Sequence, residues 1–205
     1  MVNAVITADI VHSTLLGKVA ERKLVKTFEM VLSTTKYVFY RGDSLQVYIR
    51  KPEQALRLAF LLRTAAIRIE QPAGRFDVKV SIGIGPVQAP VKDLGVAKGQ
   101  AFLLSGRAFD ETIEGERRMV ITSGHAVIDA GLDLLSSYAD DIFSQLTSKQ
   151  AAVIFELLLE QNQEVIAKRL KKRQPTISKL VKASRWYQLQ HLLVKFDQFI
   201  NFLPQ

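Results

Sequence analysis

The 205-residue chain has no cysteine, which removes disulfides, thiolate metal sites and a cysteine nucleophile together and suits a reducing compartment. It also lacks any run of the roughly 18 uninterrupted apolar residues that a membrane span requires. Its start, Met1-Val2-Asn3-Ala4-Val5-Ile6, has neither the basic opening nor the long apolar stretch of an export signal. A cytoplasmic protein with no membrane contact is the expectation. Internal repeats and low-complexity tracts are missing too, and histidine is scarce. His12 and His125 stand at no metal-ligating spacing and read as surface or loop residues.

What is present is the composition of a soluble globular protein, long enough for a medium domain and a small one. The formal charge of +8 is unevenly placed. Residues 145–205 hold ten Lys/Arg against four Asp/Glu, whereas residues 1–144 hold eighteen against sixteen. A polyanion is therefore expected on the last third of the chain, held by phosphate neutralisation.

The N-terminal pattern alternates strands and helices. Val2–Asp9 reads as a buried strand and Leu15–Leu32 as an amphipathic helix. Lys36–Tyr40 and Ser44–Ile49 form a hairpin about Arg41-Gly42-Asp43. Pro52 suits the first turn of a helix running to about Glu70. Phe76–Gly85 alternates as a half-buried strand, a short helix spans Ala101–Phe109, and Arg118–Ser123 is a last strand. The order β-α-β-β-α-β with an added helix and strand predicts an α+β, ferredoxin-like domain over residues 1–125, with its helices on one sheet face. Gly83 and Gly85 read as close-packing strand residues. Residues 126–144 read as a mixed, partly helical connection.

From Leu146 the pattern turns all-helical, so 145–205 is expected to be a separate all-α domain. Thr147 is an N-cap for a helix through about Glu160, followed by a short helix at Glu164–Leu170, a turn at Lys171-Lys172-Arg173 and a third helix from Gln174 with Pro175 in its first turn. Ile166-Ala167, Leu170 and Gln174-Pro175-Thr176-Ile177-Ser178-Lys179 together resemble the helix-turn-helix of many bacterial repressors and activators, with Lys171 and Lys172 where that pattern prefers glycine and an apolar residue. The resemblance implies that the third helix enters the major groove of double-stranded DNA. Gln174, Thr176 and Ser178 have the donors and acceptors to read base edges, and Lys171, Lys172, Arg173, Lys179 and Lys182 would meet phosphates. The alternative is a three-helix bundle whose basic residues are simply a solvated face. Trp186, Leu189, Leu193, Phe196, Ile200 and Leu203 recur at spacings of three and four, as in a coiled-coil seam. That stripe points either to a homodimer, which would set two recognition helices one DNA turn apart, or to packing on the chain's own N-terminal part.

In that N-terminal part Asp9 ends the first strand and Asp43 lies in the hairpin turn. If the strands are neighbours, the two carboxylates can hold a divalent cation such as Mg²⁺ against a triphosphate; the alternative is a strand-end cap and an ordinary turn residue. Ala8-Asp9-Ile10-Val11-His12-Ser13-Thr14, Arg41-Gly42-Asp43-Ser44, Val80-Ser81-Ile82-Gly83-Ile84-Gly85 and the helix from Gly99 to Arg107 together resemble the class III nucleotidyl cyclases. By that resemblance Asp9 and Asp43 would be metal ligands and Arg107 would contact phosphates, making all three nucleotide-binding residues. Two family features are missing. Leu103 replaces the Asn four residues before the Arg, and no Lys just ahead of Gly42-Asp43 reads the purine. Losing such charge-stabilising groups costs powers of ten in rate, so little or no cyclase activity is expected. A cyclase-like domain followed by a helix-turn-helix is similar to the SatD family of bacterial proteins. The expectation is a homodimeric DNA-binding transcriptional regulator whose cyclase-like domain, inactive as an enzyme, senses a nucleotide. Its rivals are a divergent Mg-dependent nucleotidyl cyclase and an adaptor whose helices recruit another protein.

Overall fold

Strand β1 (Val2–Val11) buries residues on both of its faces because both are covered. Ala4, Ile6, Ala8 and Ile10 are buried on one side, and Asn3 and Val5 on the other. In the computed structural model, which describes residues 2–40, 42–70, 72 and 74–204 and only the backbone of Ile113 and Glu114, this strand is the centre of a five-stranded sheet. β2 (Lys36–Tyr40) and β3 (Ser44–Ile49) form the hairpin expected from the sequence. Gly42 sits in its turn at φ +90°, a backbone region where a side chain is strained. Arg41 lies outside the described residues. β3 and β4 (Asp77–Pro86) flank β1 antiparallel, and β5 (Met119–Thr122) joins β4 in parallel, giving the order β2-β3-β1-β4-β5. The first four strands have the ferredoxin-like split-βαβ order, and the fifth is appended through a crossover helix.

Helices α1 (Lys18–Leu32) and α2 (Ala55–Ile67) cover the face of Ala4, Ile6, Val80 and Ile82. The expectation that every helix lies on that face is corrected by α3 (Gln100–Glu114). It runs to Glu114 rather than Phe109 and packs on the opposite face. There the Ser81 hydroxyl donates to the Ser105 carbonyl at 2.6 Å, and the Thr7 hydroxyl donates to that of Ser105 at 3.1 Å. A Cβ added to Gly83 would collide with the Ala101 carbonyl oxygen and the Ser105 nitrogen. Glycine is thus what lets the helix rest directly on the strand, the close-packing role read from the sequence.

Residues expected to be a mixed connection form a continuous helix, α4 (Ala126–Gln145), which buries Leu132, Leu135, Ala139, Ile142 and Phe143. Then come α5 (Ser148–Leu158), α6 (Gln163–Arg169), α7 (Gln174–Ala183) and α8 (Trp186–Asn201). The capping box is present. Thr147 Oγ1 accepts the Gln150 N–H, and Gln150 Oε1 accepts the Thr147 N–H, an arrangement that stabilises a helix start by about 1 kcal/mol. The architecture is α+β, a ferredoxin-like sheet domain followed by helices.

One contiguous apolar cluster runs from β1 to α8. Phe60 of α2 meets Phe143 of α4 at 5.0 Å between ring centroids, and the Arg68 guanidinium lies 3.8 Å from the centroid of Phe155 on α5. At the centre of the seam is a buried ionic cluster. Arg63 on α2 grips Asp77 of β4 through Nε and Nη2 at 3.0 and 2.8 Å and Asp140 of α4 through Nη1 at 2.5 Å. Asp140 also accepts the backbone N–H groups of Arg118 and Met119 at 2.8 and 3.0 Å. Every charged oxygen there has a donor, which is what makes a buried ion cluster tolerable.

The heptad-like stripe of α8 faces inward. Trp186, Leu189 and Phe196 are buried, with Leu192 beside them and Leu193 only half so. The helix approaches α4 where Gly131 leaves room for the Phe199 ring. The stripe packs largely on the chain itself, with Leu193 and Ile200 half-buried, as in the second of the two readings of its spacing.

Candidate nucleic-acid interface and acidic site

Helices α6 and α7 pack against each other across a short turn and both rest on α5. Asn162 caps α6, its Oδ1 accepting the Val165 N–H at 3.0 Å, and Ile166 and Ala167 are buried. α7 is anchored by Ile177 and Val181 and begins with Pro175, whose missing N–H costs nothing in a first turn. Between them Lys171 adopts φ +51°, the left-handed conformation that explains the usual glycine. Lysine here keeps the turn geometry at a cost of about 1 kcal/mol.

The pair turns its polar face outward. Lys171, Lys172, Arg173, Gln174, Thr176, Lys179 and Lys182 are exposed and Ser178 is half-exposed. Among the described residues none of the five basic side chains is in an ion pair. Between Glu164 and Asp197 the chain carries no acidic residue. The nearby cations that are paired do structural work instead. Arg169 holds Glu156 of α5 at 2.7 Å, and Arg185, left-handed at φ +57°, ties the α7–α8 joint to Asp141 of α4 at 2.8 Å and covers the Tyr138 ring.

In the sheet the register brings Asp9 opposite Ser44, next to Asp43. The Ser44 hydroxyl donates to Asp9 Oδ1 at 2.8 Å and the Ser13 hydroxyl to Asp43 Oδ2 at 2.7 Å. Ser13 opens a 3₁₀ turn (Ser13–Leu15) after β1, entered through His12 at φ +59°. Burial pushes the Asp9 carboxyl above the ordinary carboxylate range. The Ser44 hydrogen bond opposes this, the charge of Asp43 adds to it, and Lys79 opposes it again. Two neighbouring carboxylates, each with one oxygen outside those hydrogen bonds, suit a divalent cation. Mg²⁺ needs only one or two protein carboxylates beside water and phosphate. No group of three or more metal-ligating side chains occurs among the described residues, and His12 and His125 are exposed.

Of the residues expected at this site, Asp9 and Asp43 come together and Arg107 does not join them. It is exposed on α3 and makes no hydrogen bond or ion pair with described residues. Leu103 is likewise exposed. Sequence reasoning missed three contributors: Ser13, Ser44 and Lys79, the last the register partner of Asp9 on β4. Lys79 also closes the end of α3, donating to the Thr112 carbonyl at 2.8 Å. A lysine inside an otherwise apolar strand was the available signal.

The likeness is to cyclases. Two solved structures of a bacterial light-regulated adenylyl cyclase resemble the chain, one at 16% identity and TM-score 0.45 over 60% of this chain and 43% of that one, the other at 13% and 0.43 over 59% and 75%. The active GGEEF domain of a diguanylate cyclase from Vibrio cholerae resembles it at 15% identity and TM-score 0.44, over 58% of this chain and 81% of that one. The chain thus spans less than half of the first of these proteins. No protein-family model matches the sequence. No curated protein matches it either.

Proposed function

We propose that the protein is a transcriptional regulator that binds double-stranded DNA through α7. The observation that carries this reading is the exposed face of the turn and α7, where Lys171, Lys172, Arg173, Lys179 and Lys182 surround Gln174, Thr176 and Ser178 with no ion pair to described residues. An α-helix fits the major groove with its N-terminal residues at the base edges. Gln174 offers a bidentate amide suited to adenine, and Thr176 and Ser178 offer hydroxyls, while the lysines and Arg173 neutralise phosphates. Fluorescence anisotropy of duplex DNA from the gene's own upstream region tests it. Wild type binds, and Gln174→Ala/Lys179→Ala binds at least tenfold more weakly at unchanged thermal stability; equal binding by the two proteins overturns the assignment of α7.

A second reading rests on the acidic site. Asp9 and Asp43, steadied by Ser44 and Ser13, hold a Mg²⁺ ion that in turn receives the phosphates of a nucleoside triphosphate. The ion would supply charge neutralisation there, and the chain's own part is to place the two carboxylates and partly desolvate Asp9. With Leu103 in place of an asparagine and Arg107 in solvent, the site binds a nucleotide rather than turning it over. A ligand held there can alter DNA binding only by favouring one arrangement of the chain over another. Incubation with ATP or GTP and Mg²⁺ or Mn²⁺ separates sensor from enzyme: turnover abolished by Asp9→Ala and by Asp43→Ala makes it an enzyme.

A further inference from the structure

A cavity of about 480 Å³ opens between the start of β4, the segment entering β5 and the C-terminal half of α4. Its volume falls in the range of small-molecule sites. Both signs of charge line it, but the two are not equally available. Asp77 and Asp140 are held by Arg63, and Asp141 is held by Arg185. Only Glu116, at the exposed rim, is an acid without a partner among the described residues.

The arginines are less satisfied. Arg118 is half-buried and its guanidinium has no ion pair or hydrogen bond with described residues. Arg117 reaches Asp133 and Ser136 with its terminal nitrogens, yet its Nε is buried with no acceptor. Arg75 donates only to backbone carbonyls, those of Phe143, Ser144 and Leu146 at the end of α4. Burial, with the charges of Arg63 and Arg118 behind it, weakens the hold of Arg75 on its proton against the pull of Asp77. Half-buried Arg117 and Arg118 beside the exposed Arg75 call for an anion, and the planar guanidinium fork matches the oxygens of a phosphoryl group.

We propose that this cavity binds a phosphate-bearing small molecule through Arg75, Arg117 and Arg118. It differs from the acidic site in kind: Asp9 and Asp43 need a metal ion before they accept a phosphate, whereas this cavity meets the phosphate with cations of its own. The cavity wall is also the anchor of the helical region, since Asp141 holds Arg185 at the α7–α8 joint and Arg75 closes the end of α4. The proposal stands whether or not α7 binds DNA.

Titration calorimetry of the full chain with inorganic pyrophosphate, free of divalent metal, tests it. Saturable binding at one site is expected, weakened at least tenfold in Arg118→Gln and in Arg117→Gln and unchanged in Asp9→Asn. Arg118→Lys keeps the charge without the fork and is expected to fall between wild type and Arg118→Gln, which keeps the test open should the glutamine variant fail to fold. Absence of saturable binding by wild type, wild-type affinity in the arginine variants, or a matching loss in Asp9→Asn each overturns the proposal.

Discussion

Two regions of this molecule present opposite charges by opposite structural means. In the sheet Asp9 and Asp43 are half-buried, each fixed by a serine hydroxyl, and burial above all, with the charge of Asp43 adding to it, raises the pKa of Asp9. On the α6–α7 pair Lys171, Lys172, Arg173, Lys179 and Lys182 stand in solvent without ion pairs to described residues, and the apolar underside, Ile166, Ala167, Ile177 and Val181, is committed to the fold. The difference teaches where each site's energy resides. The acidic site is organised before any ligand arrives and carries a cost until a cation does. The basic face costs the fold little and, under the proposed DNA binding, would gain its energy from counterions released on association.

The largest effect is expected where the sheet and the helices that follow it are joined. Arg63→Met leaves Asp77 and Asp140 buried without their cation and should lower stability by about 3–5 kcal/mol, read as a fall in the urea midpoint. A loss within experimental error would mean that the cluster does not hold α2, β4 and α4 together. Next comes Gly83→Ala, whose Cβ collides with backbone atoms of α3. It should cost about 1–3 kcal/mol and disturb the sheet end while leaving DNA affinity alone.

Asp9→Asn sharpens the contrast by removing the electrostatic cost. A carboxyl whose pKa is raised on folding favours the folded state below its unfolded pKa, and that contribution is lost as pH rises through the folded value. At neutral pH the ionised Asp9 therefore burdens the metal-free protein. Asp9→Asn should raise the thermal midpoint at pH 7, lose that advantage as the pH drops below the ordinary carboxylate range, and abolish any stabilisation by Mg²⁺. The smallest effect concerns the turn. Lys171→Gly relieves the left-handed conformation and should gain a few tenths to about 1 kcal/mol, while leaving one phosphate without its cation.

The helical region was readable almost residue by residue because its boundaries are marked by local chemistry: Thr147 with Gln150, Asn162 before α6 and Pro175 at the start of α7. The hairpin was equally clear from Gly42-Asp43. α4 was not, because Val127 and Leu134 are exposed and blur the apolar stripe of Leu132, Leu135, Ala139 and Ile142. The placement of α3 was hidden as well. Its packing against the sheet is made by glycine, serine and backbone, which leave no hydrophobic pattern. At the acidic site Asp9 and Asp43 could be named from the sequence, but Ser13, Ser44 and Lys79 depend on strand register, which no local pattern specifies. The α8 stripe shows the opposite hazard, a clear spacing whose partner lies within the chain.

The most direct measurement is the salt dependence of duplex DNA binding, as the slope of log affinity against log salt concentration, for wild type and for Lys171→Gln/Lys172→Gln. If the basic face of the turn and α7 meets the DNA backbone, wild type binds with a steep negative slope, and the double variant flattens it by about one unit for each phosphate it no longer neutralises. Binding whose slope is the same in both proteins, or no binding by wild type at low salt, would contradict the account.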